Sequence, residues 1–391
     1  MLKGKKKLII LTSICVIAVA AAAAALSVYM AGKNTEPAPQ PVAEVEATPE
    51  PVPTPEITPV PTKDPNEGKV KSALTGEYIS KKRAKQRPFA VIINNIEYAN
   101  QRQEGTSQID VLYEALAEGG ITRMLGVFQG TEKIKRLGSV RSARHYFVSF
   151  ASEWNAIFCH FGQTSYAISK IEELGVNNLS GLSAIGGVVY KRDYSVKAPH
   201  NVYTSGEKML QGAKKLGYST KFNEEKMAKH FDFQEEDTEL PAGEETTYVH
   251  LPFSDYSTCY LKYDKEAKEY KKYEYKTKHK DHKNDKQLSF KNVIIQLVKE
   301  KNIDRNGYQH LYLHKRKGTG YYITDGGRMQ IEWRKNEEKG TMCYYDMDGN
   351  VLRINPGKTY IAAYPTSRKG LLSFEDKTDK KTKAKSKKKK K

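Results

Sequence analysis

Cysteine is scarce in this chain: four in 391 residues. Cys15 falls in an apolar N-terminal run, which leaves Cys159, Cys259 and Cys343, none of them in a CxxC or metal-ligand spacing. No disulfide framework can be read from three thiols, and buried free cysteines are the expectation. The GxSxG, HExxH, Walker and dinucleotide-glycine signatures are also missing, so no known catalytic motif marks an enzyme. Charge is absent from Leu8 to Met30, and aromatic residues are absent from Asn34 to Gly68. A basic fold is absent too. Of the formal charge of +19, +9 lies in Lys377–Lys391 and +5 in Met1–Lys33, which leaves +5 on the other 343 residues. Near balance in the folded part argues against nucleic acid as a partner.

What is present fixes an address. Four lysines (Lys3, Lys5, Lys6, Lys7) precede the uncharged run of 23 residues. At about 1.5 Å per residue that run is long enough to cross a hydrocarbon core of about 30 Å. The basic flank stays cytoplasmic and sends the rest outward. A retained single-pass anchor over residues 8–32, after a basic flank at 1–7, is the reading. A cleaved signal peptide is the alternative, given the small residues Ala20 to Ala25 and Met30-Ala31-Gly32. Ten of the 16 prolines lie between Pro37 and Pro65, so residues 33–68 form a disordered stalk biased towards polyproline II. Residues 368–391 form a lysine-rich tail suited to anionic lipid headgroups or an anionic wall polymer.

Between stalk and tail the pattern predicts an α+β fold: a mixed α/β domain over 69–240 and an antiparallel β-rich domain over 241–367. Phe89 to Asn94 is an apolar run that reads as a buried strand. Ile109, Leu112, Tyr113 and Leu116 recur at helical spacing behind Ser107, which predicts a helix over Thr106–Glu118 ended by Gly119-Gly120. Strands follow at Ile121–Phe128 and Ala156–His160, with helices at Tyr166–Leu174 and Glu207–Leu216. After Thr246 come short strands, with hairpin turns at Asp325-Gly326 and Asp348-Gly349. Asp346 to Asn350 resembles the start of a calcium loop but has its glycine in the wrong place and no closing glutamate, so it reads as a turn. The Tyr- and Lys-rich run Tyr260–Lys280 reads as an exposed amphipathic strand pair.

The densest group of chemically able residues is Gly119 to Met124 followed by Gly138 to Arg144. Arg123, Arg141 and Arg144, with Ser139 and Ser142 between them, offer forked donors to a carboxylate or phosphate. On the predicted helix Asp110, Glu114 and Glu118 share one face, and carboxylates beside arginines suit a divalent cation carrying a pyrophosphate. The same residues equally make an internal ion-pair network. His160 at a strand end and His200 in a turn are further candidates for acid–base or ligand roles, as are Asn94 and Asn95. No cofactor is identified beyond that cation.

Arg87 to Asn95, Asp110 to Arg123, Gly138 to Arg144 and Ala198-Pro-His-Asn-Val-Tyr203 resemble the N-terminal signature of the YerB-like family of bacterial envelope proteins. Asn292 to Gln296, Gly326 to Lys335 and Asp348 to Tyr360 resemble its C-terminal domain. The resemblance spans nearly all of Lys69–Pro365. It implies an α+β N-terminal domain, a β-rich C-terminal domain and attachment to the outer membrane face; it supplies no reaction. Members are typically lipoproteins, whereas here the bulky Ile14 before Cys15 spoils a lipobox. The expectation is a tethered extracytoplasmic binding or scaffolding module with an envelope protein or polymer as partner. The alternative is an arginine-clamp enzyme or receptor for a phosphorylated wall precursor.

Overall fold

A computed structural model describes residues 65–223, 225, 230–240, 243–314, 316–337 and 340–375. The anchor, most of the stalk and most of the tail lie outside them; the start of the expected disordered tail is instead ordered, in a 3₁₀ helix over Thr366–Leu371. Among the described residues no helix is long and apolar enough to cross a membrane.

In chain order the first half contributes β1 (Phe89–Asn94), β2 (Val111–Leu116), β3 (Thr122–Phe128), β4 (Leu137–Gly138), helix α1 (His145–Glu153), β5 (Ile157–His160), helix α2 (Ser165–Leu174), β6 (Asn178–Ser180), β7 (Lys191–Arg192), β8 (Val202–Thr204) and helix α3 (Gly206–Lys215). The second half contributes β9 (Glu244–Glu245), β10 (Tyr248–Pro252), β11 (Thr258–Asp264), β12 (Glu269–Glu274), β13 (Thr277–Lys278), β14 (Ser289–Phe290), β15 (Asn292–Val298), β16 (Arg316–Thr324), β17 (Gly327–Lys335), β18 (Cys343–Tyr345) and β19 (Thr359–Pro365). Both halves enter one eleven-stranded sheet of order β9-β17-β16-β15-β19-β2-β3-β1-β5-β6, with β18 on β17. The join between the halves is the parallel pair β19–β2, in which Tyr360 faces Leu112 and Ala362 faces Glu114. β15 also runs parallel to β19, so the C-terminal strands are not all antiparallel.

The central strands are buried on both faces. On one face Ala90, Ile92, Val111, Tyr113, Ile294 and Ile361 meet Tyr146, Phe147, Phe150 and Trp154 of α1 and its C-terminal cap. On the other, Val91, Leu112, Val293 and Tyr360 meet a five-stranded antiparallel sheet (β10 to β14), whose Val249, Leu261 and Tyr270 point inward, and Met209 of α3. The result is a large sheet covered by helices on one side and mostly by a smaller sheet on the other.

This double burial explains the main correction. Residues 106–118 are not a helix: a single 3₁₀ turn at Thr106–Gln108 leads into β2. A strand covered on both faces carries apolar residues at nearly every position, so the spacing of Ile109, Leu112, Tyr113 and Leu116 cannot tell strand from helix. Ser107 is no N-cap; its Oγ and N–H both donate to Asp281 Oδ2, at 2.6 and 3.0 Å. Helix α1, invisible to periodicity, is apolar or buried almost all round. The expected strand at Phe89–Asn94 and the helices closed by Gly175 and Gly217 are present. So are both hairpin turns, with Asp325 and Gly326 at φ 46° and 78° and Gly349 at 89°. Cys159 and Cys259 are buried free thiols and Cys343 is half-buried.

Candidate functional site

The parallel strands β1, β5 and β6 end at the same edge of the large sheet, where α/β proteins place their ligands. The segment 139–144 is laced across these ends. Ser139 O accepts from Asn94 N (2.9 Å), Arg141 N donates to Ile92 O (3.2 Å), and Ala143 N donates to Gly162 O (2.9 Å). Gly162, at φ 90°, lets this segment come close: a Cβ there would lie 2.5 Å from Ser142 Oγ. Arg144 then starts α1 as its N-cap residue without a side-chain cap.

The lacing brings Arg123, Arg144 and Glu118 together. Arg144 Nε donates to Glu118 Oε2 (2.9 Å) and its Nη2 to Oε1; Arg123 Nη2 lies 3.4 Å from the same Oε1. Arg123 also donates to Ser142 O (2.8 Å), and Arg144 to Ala143 O (2.8 Å). Burial opposes ionisation of Glu118, but the Arg144 hydrogen bonds and the nearby guanidinium charges outweigh it and bring its carboxyl down to about 2. Arg123 is not comparably helped: burial and the repulsion of Arg144 bring it down to about 10 despite Glu118. The two shifts disagree about the same pair because the charges do not balance. One carboxylate serves two buried guanidiniums, and Arg141 adds a third cation whose pKa is lowered by burial and then by Arg144. Arg141 is half-buried; its Nη1 donates to Pro199 O (3.3 Å), and its buried Nε has no partner among the described residues.

Ser139 and Asn94 line the same edge. Asn94 Nδ2 lies 3.3 Å from Ser139 Oγ and 2.8 Å from Nδ1 of His200, whose ring is packed 5.6 Å from Tyr98. Burial, then Arg141 and Lys197, lower the His200 pKa, so it is neutral and accepts from Asn94. His160 is fully buried, with Nδ1 2.9 Å from Gly162 O and Nε2 3.2 Å from Asn178 Oδ1. It braces the β5 end and presents no free nitrogen.

The three carboxylates are not one cluster. Asp110 and Glu118 flank opposite ends of β2, eight residues apart, which at about 3.4 Å per residue separates them by roughly 25 Å. Asp110 accepts from Arg83 Nη2 (2.6 Å) and Gln129 N (2.7 Å) and belongs to another edge. Glu114 faces the smaller sheet and enters a network that the sequence did not announce. Its Oε1 accepts from Asn95 Nδ2 (3.0 Å) and Thr122 Oγ1 (2.7 Å), and its Oε2 from Tyr360 Oη (2.8 Å), with Lys272 Nζ 3.1 Å away. Lys272 also bonds Glu274 and meets Nδ1 of His279 at 3.2 Å; His279 Nε2 reaches Gln103 Oε1 at 2.7 Å. All of these groups are fully buried. Burial, then the Glu114 charge, raises Glu274 to about 7. Burial opposes the Lys272 ammonium, but Cys259, Glu114 and Glu274 hold its pKa well above the ordinary value. Burial and Lys272 keep His279 neutral. Glu114, Cys259 and Glu274 place ligand atoms within 4.8 Å of one another, but the Lys272 ammonium already supplies their cation. The run Tyr260–Lys280 is a strand pair as expected, yet its inward face is Tyr270-Lys272-Glu274, buried rather than exposed. Alternation in EYKKYE is visible; that the charged phase faces inward is not.

Fold and edge geometry define a class: an α+β protein whose two sequence segments complete one sheet around a cationic strand-end site. The N-terminal segment, residues 74–219, matches the N-terminal domain of a protein of unknown function, DUF3048, and residues 249–361 match the DUF3048 C-terminal domain. The chain belongs to that family, as its resemblance to YerB-like proteins indicated. It is 31% identical over 300 residues to YerB of Bacillus subtilis (strain 168), whose name provisionally calls it a lipoprotein; the match covers 76% of this chain and 87% of that one. The crystal structure of YerB from Bacillus subtilis matches with a TM-score of 0.68 at 29% identity, over 78% of this chain and all of that one.

Proposed function

We propose that the chain is a membrane-tethered extracytoplasmic binding module of the cell envelope that takes an anionic, phosphate-bearing partner at the β1–β5 edge. The observation that carries this is the charge imbalance there: among the described residues Arg123, Arg141 and Arg144 surround the single carboxylate of Glu118, with Arg141 half-open and its Nε unpartnered. A site already lacking negative charge is completed by an oxyanion, which forked guanidiniums meet bidentately. The uncharged N-terminal run and the lipoprotein name of the Bacillus relative support the envelope location. Asp110, held by Arg83 and Gln129, stands apart from Glu118, so among the described residues the expected carboxylate pair does not assemble beside the arginines, and the reading rests on the guanidiniums alone.

The test is retention of the full chain on purified cell walls at low salt. Arg141→Ala should release most of it, and deletion of Lys377–Lys391 should weaken it further through loss of the basic tail. Retention unchanged in Arg141→Ala would remove the strand-end site from the account. Consumption of a pyrophosphate-bearing probe would replace binding by catalysis.

A further inference from the structure

A second cationic groove, remote in sequence from the arginine cluster, lies where β15, β16 and β17 meet the segment after β19. It encloses about 410 Å³ and is bordered by Lys299, Tyr312, Arg316, Lys317, Trp333 and Lys369. Lys299 Nζ, Lys301 Nζ and Arg316 Cζ gather around the Tyr312 ring at 5.8, 5.7 and 6.0 Å from its centroid. Of these cations only Lys317 has a carboxylate partner among the described residues, Glu332 at 3.5 Å. Glu300, between the two lysines, accepts instead from Ser367 Oγ (2.6 Å).

The groove also has a donor without an acceptor. Trp333 is 2% exposed, and its Nε1 has no hydrogen-bond partner among the described residues. An indole N–H can only donate, and buried donors are normally paired. The indole packs across the strand pair onto Gly318, where a Cβ would come within 2.8 Å of Nε1, so only glycine lets the ring lie there beneath the groove. Beyond Tyr312 a neighbouring pocket of about 420 Å³ is bordered by Tyr166, His310 and Lys301, and by Lys170, which is paired with Glu173 at 2.8 Å, so among the described residues the unpaired cations end at Lys301.

We infer that this groove binds a linear phosphate-bearing polymer, one phosphoryl group held between Lys299 and Arg316 beside the Trp333 indole and the next along the groove past Tyr312. Each internal phosphoryl group of such a polymer carries its charge on two non-bridging oxygens set tetrahedrally about phosphorus, one for each cationic wall, and the charge repeats along the chain as the cations do along the groove.

The chain carries two tryptophans, and Trp154 is sealed with its Nε1 on Tyr113 Oη (2.9 Å), so an indole fluorescence change on binding reports Trp333. The full chain in detergent, and the same chain without Lys377–Lys391, is titrated with short-chain inorganic polyphosphate, orthophosphate, polyglutamate and vesicles of anionic phosphatidylglycerol. The expected result is a saturable change with polyphosphate in both chains. It should weaken by about tenfold or more in Lys299→Ala/Arg316→Ala, whose exposed sites leave folding intact, and persist in Arg141→Ala. Orthophosphate and polyglutamate should bind more weakly. Equal affinity in the double variant, dependence on Arg141, or a response to vesicles but not polyphosphate would each overturn the assignment.

Discussion

Two charged regions of this protein use the same ingredients to opposite ends. Around Glu118, two buried guanidiniums and a third half-buried one crowd one carboxylate at a sheet edge. Between the two sheets, Lys272 sits among Glu114, Glu274, Cys259 and His279, with carboxylates in the majority and every group sealed. The first is short of negative charge where an anion can arrive. The second has its cation built in and no approach from solvent. A cluster of ionisable residues is therefore weak evidence of function until its charge balance and accessibility are both known.

That contrast can be broken most forcefully at Lys272. Lys272→Met leaves two buried carboxylates facing each other without a cation, and stability from urea unfolding should fall by about 3–5 kcal/mol. Glu118→Gln comes next: it deprives Arg123 and Arg144 of their counter-charge and should cost about 1–3 kcal/mol at neutral pH. Its pH signature follows from a folded carboxyl held at about 2. The wild-type advantage over Glu118→Gln is complete above the ordinary carboxylate range and disappears as pH falls towards 2. Glu274→Gln should show the reverse. With the folded carboxyl raised to about 7, the folded state holds a proton that the unfolded chain gives up near 4.5. Wild-type stability relative to that variant should thus decline as pH rises from about 4.5 to 7. The smallest stability effect belongs to Arg141→Ala, within about 0.5 kcal/mol in thermal unfolding, because its guanidinium holds little but Pro199 O.

The arginine cluster was legible because Gly119 to Arg144 keeps its residues close in sequence and at strand ends. The buried network was not. Its members are spread from Asn95 to Tyr360, and the only local hint, EYKKYE, reads as a solvated strand until tertiary packing turns Lys272 and Glu274 inward. The missing helix over 106–118 has the same origin: α1 and the smaller sheet cover that segment's two faces and β19 pairs along its edge, all of them remote in sequence. Joining the two halves through one sheet is a non-local fact, and neither half's pattern contains it.

The most direct measurement is a calorimetric titration of the full chain with pyrophosphate at low salt, comparing wild type with Arg141→Ala. Saturable binding in wild type, weakened at least about tenfold in a variant of unchanged melting temperature, is the predicted result. Identical binding in both, or none in wild type, would show that the strand-end arginines are a closed ion-pair network like the one around Lys272.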